Sequence, residues 1–263
     1  MNSGSPMTPR SPSVLVGWDP LRDEMDSGGN GQVPAAAEWA ARIADACQLR
    51  LVLFSSYAEL REALDPEAYR AARISHDHQM ASFHQQMREQ GISCDIERSS
   101  DDLRVSLLRV ADEQRSELIV VGREPTSRPG FLHLGSEIEF LAHHTDRPLA
   151  IIGSGNPARS QQRVVVVVDG SEQGVAAVRW TASHTTGGGH EVNPVILSEG
   201  RRPLQQVIEE ADAIDADLIV VGALRTDGSL LGGLLGRRVG GLALDVLHET
   251  CRSLVLVPET TVG

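Results

Sequence analysis

Aromatic side chains make up only 3% of the 263 residues. With so few large rings, a core must be assembled from Val, Leu, Ile and Ala, and the 41% hydrophobic content is enough to build one. Cysteine is scarce as well: Cys47, Cys94 and Cys251 are odd in number and far apart. That excludes a disulfide framework and fits a reducing, cytoplasmic setting. No apolar run approaches the ~20 residues that a membrane-spanning helix needs. The stretch before Val14 is rich in Ser and Pro and has no apolar h-region. It reads as a disordered tail rather than a signal peptide. Basic charge is also short: 24 Lys and Arg stand against 36 Asp and Glu, a formal charge of -12. Nucleic acid and anionic membrane both need clustered cations, so neither is expected as a main partner. Ser-His-Asp, His-Glu-x-x-His and Cys-x-x-Cys arrangements are missing too. No catalytic constellation can be named, and a non-enzymatic protein is expected.

What the chain does have is one stretch written twice. Glu117-Leu118-Ile119-Val120-Val121-Gly122 returns as Asp217-Leu218-Ile219-Val220-Val221-Gly222. Four branched apolar residues in a row read as a strand buried on both faces, closed by a glycine that permits a tight turn. Around each copy the pattern alternates strand and helix. In the first half, strands are expected at 14–19, 50–55, 92–97, 117–122 and 147–152. Helices lie between them at 35–48, 66–90, about 101–115 and about 135–144, with Pro34 at a first-turn position and Asp101 as a cap. The second half restarts at Val164 and expects helices near 171–185, 202–214 and up to Thr250. Its strands fall at 164–169, 192–198, 217–222 and 254–257, the second weakened by Pro194. The fold class is α/β: two doubly wound, Rossmann-like parallel-sheet units in tandem. The expected division is a tail at 1–12, a first unit at 13–154, a linker at 155–162 and a second unit at 163–263.

Register shows that the second unit is truncated. Asp19 and Asp169 match at a spacing of 150, Trp39 and Trp180 at 141, Gly122 and Gly222 at 100. The second unit has therefore lost 41 residues between its Trp and its central strand, about one strand and one helix. Five strands are expected in the first unit and four in the second.

On these residues the chain resembles the universal stress protein family in its tandem form. The likeness rests on Val168-Asp169-Gly170-Ser171 with Ala176-Ala177-Val178-Arg179-Trp180-Thr181-Ala182, on Leu118 to Gly122, on Gly135-Ser136, and on Arg147-Pro148-Leu149-Ala150-Ile151-Ile152. It implies an adenine-nucleotide-binding fold, a stress-linked regulatory role, and pairing of the two units through their last strands as a pseudo-dimer. A homodimer is a second option. ATP, with or without Mg²⁺, is the implied ligand. The family's phosphate loop, Gly-x2-Gly-x9-Gly-Ser/Thr, appears as Gly122-x2-Pro125-x9-Gly135-Ser136. Pro125 removes one N–H donor, and Ile138 stands where the family carries a second hydroxyl. Arg123 and Arg128 offer compensating charge. In the second unit the loop from Asp227 to Gly241 is five residues longer. Gly240-Gly241 occupies the Gly-Ser position there, with Arg225, Arg237 and Arg238 nearby.

The candidate ligand residues are thus Asp19, Gly122, Arg123, Gly135 and Ser136 in the first unit, with Asp169 and Gly222 in the second. For Asp19 and Asp169 the alternative is a turn or helix-cap carboxylate. Asp23-Glu24-Met25-Asp26 reads as a lid or a solvated loop. His76, Met80 and His84 form an i, i+4, i+8 stripe that suits either a metal or a helix face turned toward its sheet. His143 and His144 fit the dipole at a helix C-terminus. The leading functional expectation is nucleotide binding in the first unit. The rivals are a nucleotide-free scaffold acting through an unknown protein partner, and a weak ATPase.

Overall fold

The computed structural model describes residues 11–20, 33–123, 136–153, 161–185, 190–198, 201–223, 225–226, 238–239 and 241–259. The first unit runs β1 (Ser13–Gly17), α1 (Ala35–Ala46), β2 (Arg50–Ser56), α2 (Ala58–Ala63), α3 (Pro66–Glu89), β3 (Cys94–Ser99), α4 (Leu103–Glu113), β4 (Ser116–Arg123), α5 (Ser136–His144) and β5 (Leu149–Gly153). The second runs β6 (Arg163–Val168), α6 (Glu172–Thr185), β7 (Glu191–Ile196), α7 (Pro203–Ala213), β8 (Leu218–Ala223), β9 (Arg225–Thr226), β10 (Arg238–Val239), α8 (Gly241–Glu249) and β11 (Ser253–Pro258). Residues 1–10 of the expected tail and 155–160 of the expected linker lie outside the described residues.

The branched apolar runs behave as period-2 strands covered on both sides. Val14, Val16, Leu118, Val120, Ala150, Val164, Val166, Leu218, Val220 and Val255 share one core with α1, α3 and α6. Their alternates Leu15, Ile119, Val121, Leu149, Ile151, Val165, Ile219, Val221, Leu254 and Leu256 share the other with α4, α5, α7 and α8. Each core runs through both units.

The strands form one nine-stranded sheet in the order β3-β2-β1-β4-β5-β11-β8-β6-β7. All neighbours are parallel except β5 and β11, which meet antiparallel with Leu254, Val255 and Leu256 opposite Ile151, Ala150 and Leu149. The expected pairing through the last strands is therefore present, and it sets the two units head to tail. Read outward from this seam, the first unit gives β5-β4-β1-β2-β3 and the second β11-β8-β6-β7. The deletion has removed the outermost strand and the long helix α3 that precedes it. Three local details differ from expectation. Asp102, not Asp101, caps α4, accepting from the N–H groups of Arg104 and Val105. The short helix α2 and the two-residue ribbon β9–β10 had no periodic signal to announce them.

Pro194 lies within β7 at the open end of the sheet. Glu191 and Leu197 donate their N–H groups inward, to the carbonyls of Gln162 and Val168. In a parallel ladder alternate residues face opposite ways, so Val192, Pro194 and Ile196 direct their backbone groups outward. Proline thus removes a donor from the open edge, where its loss costs no ladder bond and discourages strand addition.

Across the seam, Trp39 in α1 donates Nε1–H to Gln162 Oε1 at 3.3 Å. Gln162 in turn donates its N–H to His190 Nδ1 at 3.1 Å, an arrangement that requires an unprotonated Nδ1. Burial pushes His190 below the ordinary histidine value, and Arg42 of the first unit pushes the same way. His184 stacks on Trp180 with ring centroids 4.3 Å apart. Burial lowers it too, against the raising effects of the Trp180 carbonyl and Glu117 of the first unit. Both rings are favoured neutral in the folded chain. As pH falls below about 6.5 the unfolded chain takes up these protons first, so stability should drop over the acidic window below that value. Denaturant midpoints across that window should fall less for His184→Gln/His190→Asn than for the unmodified protein. Equal falls would remove these rings from the account.

Candidate functional site

Right-handed parallel crossovers leave the carboxyl ends of the strands as the natural ligand edge. In the first unit this edge gathers Asp19, two residues past β1, and Gly122 near the end of β4. Trp18, just before Asp19, is fixed by its N–H bond to the Phe54 carbonyl at 2.8 Å. Its buried ring meets His76 and Phe83 edge-on, with centroids 5.7 and 5.8 Å away. Beside it, His76 Nε2 pairs with Ser55 Oγ at 3.0 Å, and the Tyr57 hydroxyl donates to Asp77 at 2.8 Å. Burial and the Asp77 carboxylate push the Tyr57 hydroxyl up to about 12. Burial also opposes ionisation of Asp77, but the hydrogen bonds from Arg98 and Tyr57 outweigh it and hold that carboxyl below the usual range.

The His76–Met80–His84 stripe takes the packing alternative. His76 and Met80 are buried against the sheet, and His84 Nε2 donates to the Cys94 carbonyl at 2.9 Å. That carbonyl is on the outward side of edge strand β3, so the ring covers part of an otherwise open ladder. Among the described residues no group of three His, Cys, Asp or Glu is arranged to hold a metal ion.

Among the described residues, the charges acting on Glu59 at the first unit's edge are mainly negative. Burial pushes Glu59 above the usual carboxylate range, and Asp19, Glu137 and Asp102 add to the rise, while Arg104 opposes it. These carboxylates come from four places: the end of β1, α2, the cap of α4 and the first turn of α5. Arg104 is already forked onto Asp102 and lies over the Phe140 ring, 5.6 Å from its centroid. Nothing in the sequence singles out Glu59 and Glu137; only the fold brings Asp19 and Glu137 within electrostatic reach of Glu59.

Arg123 requires a correction. It is not positioned as a phosphate contact. Its guanidinium crosses the seam and donates to the carbonyls of Thr250 and, at 3.0 Å, Leu247, closing the C-terminus of α8 in the second unit. The side chain is buried, which lowers its pKa, with Cys251 opposing. The carbonyl end of a helix dipole compensates the charge. Ser136 begins α5, as expected, and Ile138 is buried in the core beneath that helix. Gly135, Pro125, Arg128 and the segment Asp23–Asp26 lie outside the described residues.

In the second unit the candidates are already committed. Asp169 Oδ1 accepts from the N–H and the hydroxyl of Ser171 at 3.0 and 2.6 Å, and Ser171 Oγ accepts from Gly174 N–H at 3.0 Å. A Cβ on Gly174 would stand 2.3 Å from that same Asp169 oxygen. Asp169 is therefore a turn carboxylate that holds Ser171, and Ser171 caps α6. Gly222 is glycine because helix backbone presses on it: a Cβ there would come within 2.4 Å of the Gln173 carbonyl carbon. Nearby, Gln173 donates to Glu259 at 2.9 Å, and a shared hydrogen bond with Glu259 raises Glu172. Gly241 opens α8 with φ +50°, and Gly240 and Arg237 lie outside the described residues.

Comparison with known proteins agrees with this architecture. The model of the universal stress protein family matches residues 25–153. A universal stress protein from Archaeoglobus fulgidus DSM 4304 superposes with a TM-score of 0.66 at 15% identity, covering 94% of this chain and 98% of its own. A functionally unknown protein from Pseudomonas aeruginosa PAO1 superposes at 0.61 with 16% identity, covering 94% and 92%. At these identities the likeness is one of fold. No curated protein sequence matches the chain significantly.

Replacing Arg123 separates the two roles. Arg123→Ala should cost about 2–4 kcal/mol in chemical denaturation, because two charged hydrogen bonds in a buried place are lost. It should change the affinity for any phosphate ligand less than about twofold, within the noise of such comparisons. Unaltered stability with lost phosphate binding would return Arg123 to the ligand.

Proposed function

We propose that the chain is a universal stress protein, on the match of that family's model to residues 25–153, and that it acts as a non-enzymatic, stress-response regulatory protein. In this reading one adenine nucleotide binds at the carboxyl edge of the first unit. The second unit serves as its structural counterpart and binds none. The observation that carries the reading is that only the first unit keeps an outer strand and the long helix before it. The second unit lacks both, and its Asp169 accepts from Ser171, the cap of α6. Asp19 stands in a unit that keeps both, directly after the buried Trp18.

Electrostatics ranks the nucleotides. Asp19, Glu137 and Asp102 all act on Glu59, while Arg123 is turned into the seam. Unscreened polyphosphate would meet repulsion there. Adenosine or AMP is favoured over free ATP, and ATP over its metal-free form only when Mg²⁺ offsets its charge. The free thiols Cys47, Cys94 and Cys251 suit a cytoplasmic, reducing setting. Among the described residues no helix is long and apolar enough to cross a membrane. The same acidic edge favours one alternative, a nucleotide-free scaffold working through protein contacts.

Thermal denaturation with adenosine, AMP and ATP, with and without Mg²⁺, tests the proposal. A ligand at 100 times its Kd adds about 2.7 kcal/mol by mass action and should raise Tm by several degrees. Asp19→Ala should abolish the shift. Asp169→Ala should lower the starting Tm by loosening the turn that holds Ser171, the cap of α6, and keep the full shift. No shift with any nucleotide at millimolar concentration would leave the scaffold reading. Phosphate release from ATP that vanishes in Asp19→Ala would make the protein an enzyme instead.

A further inference from the structure

The three thiols stand in unlike places. Cys94 is buried, and burial with the neighbouring Asp95 carboxylate pushes it up to about 12. Cys47 is half-buried, and burial with Glu117 raises it too. Both are thereby held in the unreactive thiol form. Cys251 alone of the three is exposed. It lies in the turn between α8 and β11, against the seam. Three contacts tie this turn to Arg123 of the first unit. The guanidinium donates to the carbonyl of Thr250, the residue before Cys251, and to that of Leu247 one turn earlier. Arg123 pairs in register with Gly153 of β5. The Cys251 carbonyl in turn crowds Gly153, where a Cβ would stand 3.1 Å from it. Cys251 is also the ionisable side chain whose charge reaches that guanidinium.

One donor of this arrangement is left over. Arg123 Nη1 and Nη2 hold the two carbonyls, but Nε is buried with no acceptor among the described residues. The side chain is only 8% exposed, and a buried N–H without an acceptor is costly. We propose that Cys251 is a redox-modification site, oxidised by hydrogen peroxide to a sulfenate whose oxygen accepts from Arg123 Nε–H. The thiolate sulfur attacks one peroxide oxygen. An S–O bond forms, the O–O bond breaks, and the hydroxide that leaves takes up a proton to become water. Two electrons pass from the sulfur to the peroxide. The new oxygen carries negative charge, which a guanidinium donor stabilises. Arg123 also offsets the carbonyl end of α8, which alone would oppose an anion at Cys251. The site belongs to the seam and the second unit, so it stands apart from nucleotide binding at the first unit's edge.

The full chain is treated with hydrogen peroxide in the presence of dimedone, which traps sulfenic acids, and the labelled residue is located by peptide mass spectrometry. Cys251 should label about tenfold faster than Cys47 or Cys94. In concentrated urea, where all three thiols meet solvent alike, the rates should converge. Arg123→Ala should slow labelling of Cys251 about fivefold. Arg123→Lys, which keeps the charge, should fall between the two. Loss of Arg123 also loosens the fold, and a looser fold exposes thiols and speeds labelling. A slower rate therefore reports the missing guanidinium and not damage to the structure. Labelling led by Cys47 or Cys94 would overturn the proposal, as would a Cys251 rate that Arg123→Ala leaves unchanged or raises.

Discussion

The antiparallel pairing of β5 with β11 is the constraint on which the rest depends. Each unit, taken alone, would end in a strand whose ladder is open and whose two faces are apolar. Leu149, Ala150, Ile151, Leu254, Val255 and Leu256 are all at or near full burial, which is achieved only because each strand completes the other's ladder. An open edge of this kind invites aggregation, and mutual pairing removes it. Because the pairing is antiparallel, the carboxyl edges of the two units point to opposite ends of the sheet. A ligand edge in one unit is therefore not shared with the other.

That separation explains how the units could diverge so far. Both keep the same turn before their last strand: Arg147 and Arg252 each donate a backbone N–H, at 3.1 Å, to the hydroxyl oxygen of Thr145 and Thr250 respectively. Only one of these turns receives an arginine across the seam. Arg123 reaches the Thr250 carbonyl, whereas its match, Ala223, has no polar side chain with which to reach Thr145. The first unit supplies a charge to hold the second in place. The second lacks β3 and α3 equivalents, and its strand-end aspartate holds Ser171, the cap of α6.

Much of this was legible in the residues. The doubled Leu-Ile-Val-Val-Gly stretch implied two units, and the changing offset between matched aspartates, tryptophans and glycines located the deletion. Strand content followed from unbroken branched apolar runs, because a sheet covered on both faces needs them. The site was less legible. Whether a strand-end arginine turns toward a loop or toward a neighbouring helix is decided by tertiary packing, so Arg123 carried no local mark of its role. Glu59 and Glu137 are 78 positions apart in a chain of 263 residues, and only the crossovers bring them to the same edge. Asp169 did leave a signal in Gly174, whose missing side chain makes room for the capped carboxylate. Pro194 looked like a weakness in a strand until the topology made that strand an edge.

Native-state amide hydrogen exchange tests the central claim most directly. If the seam welds the units into one cooperative body, the amides of β4, β5, β8 and β11 exchange only through global unfolding, with one common free energy and one common denaturant dependence. Exchange of β6, β8 and β11 at a lower free energy, while β1, β4 and β5 stay protected, would contradict it. The second unit would then open by itself, and the antiparallel pairing could not be what holds the chain together.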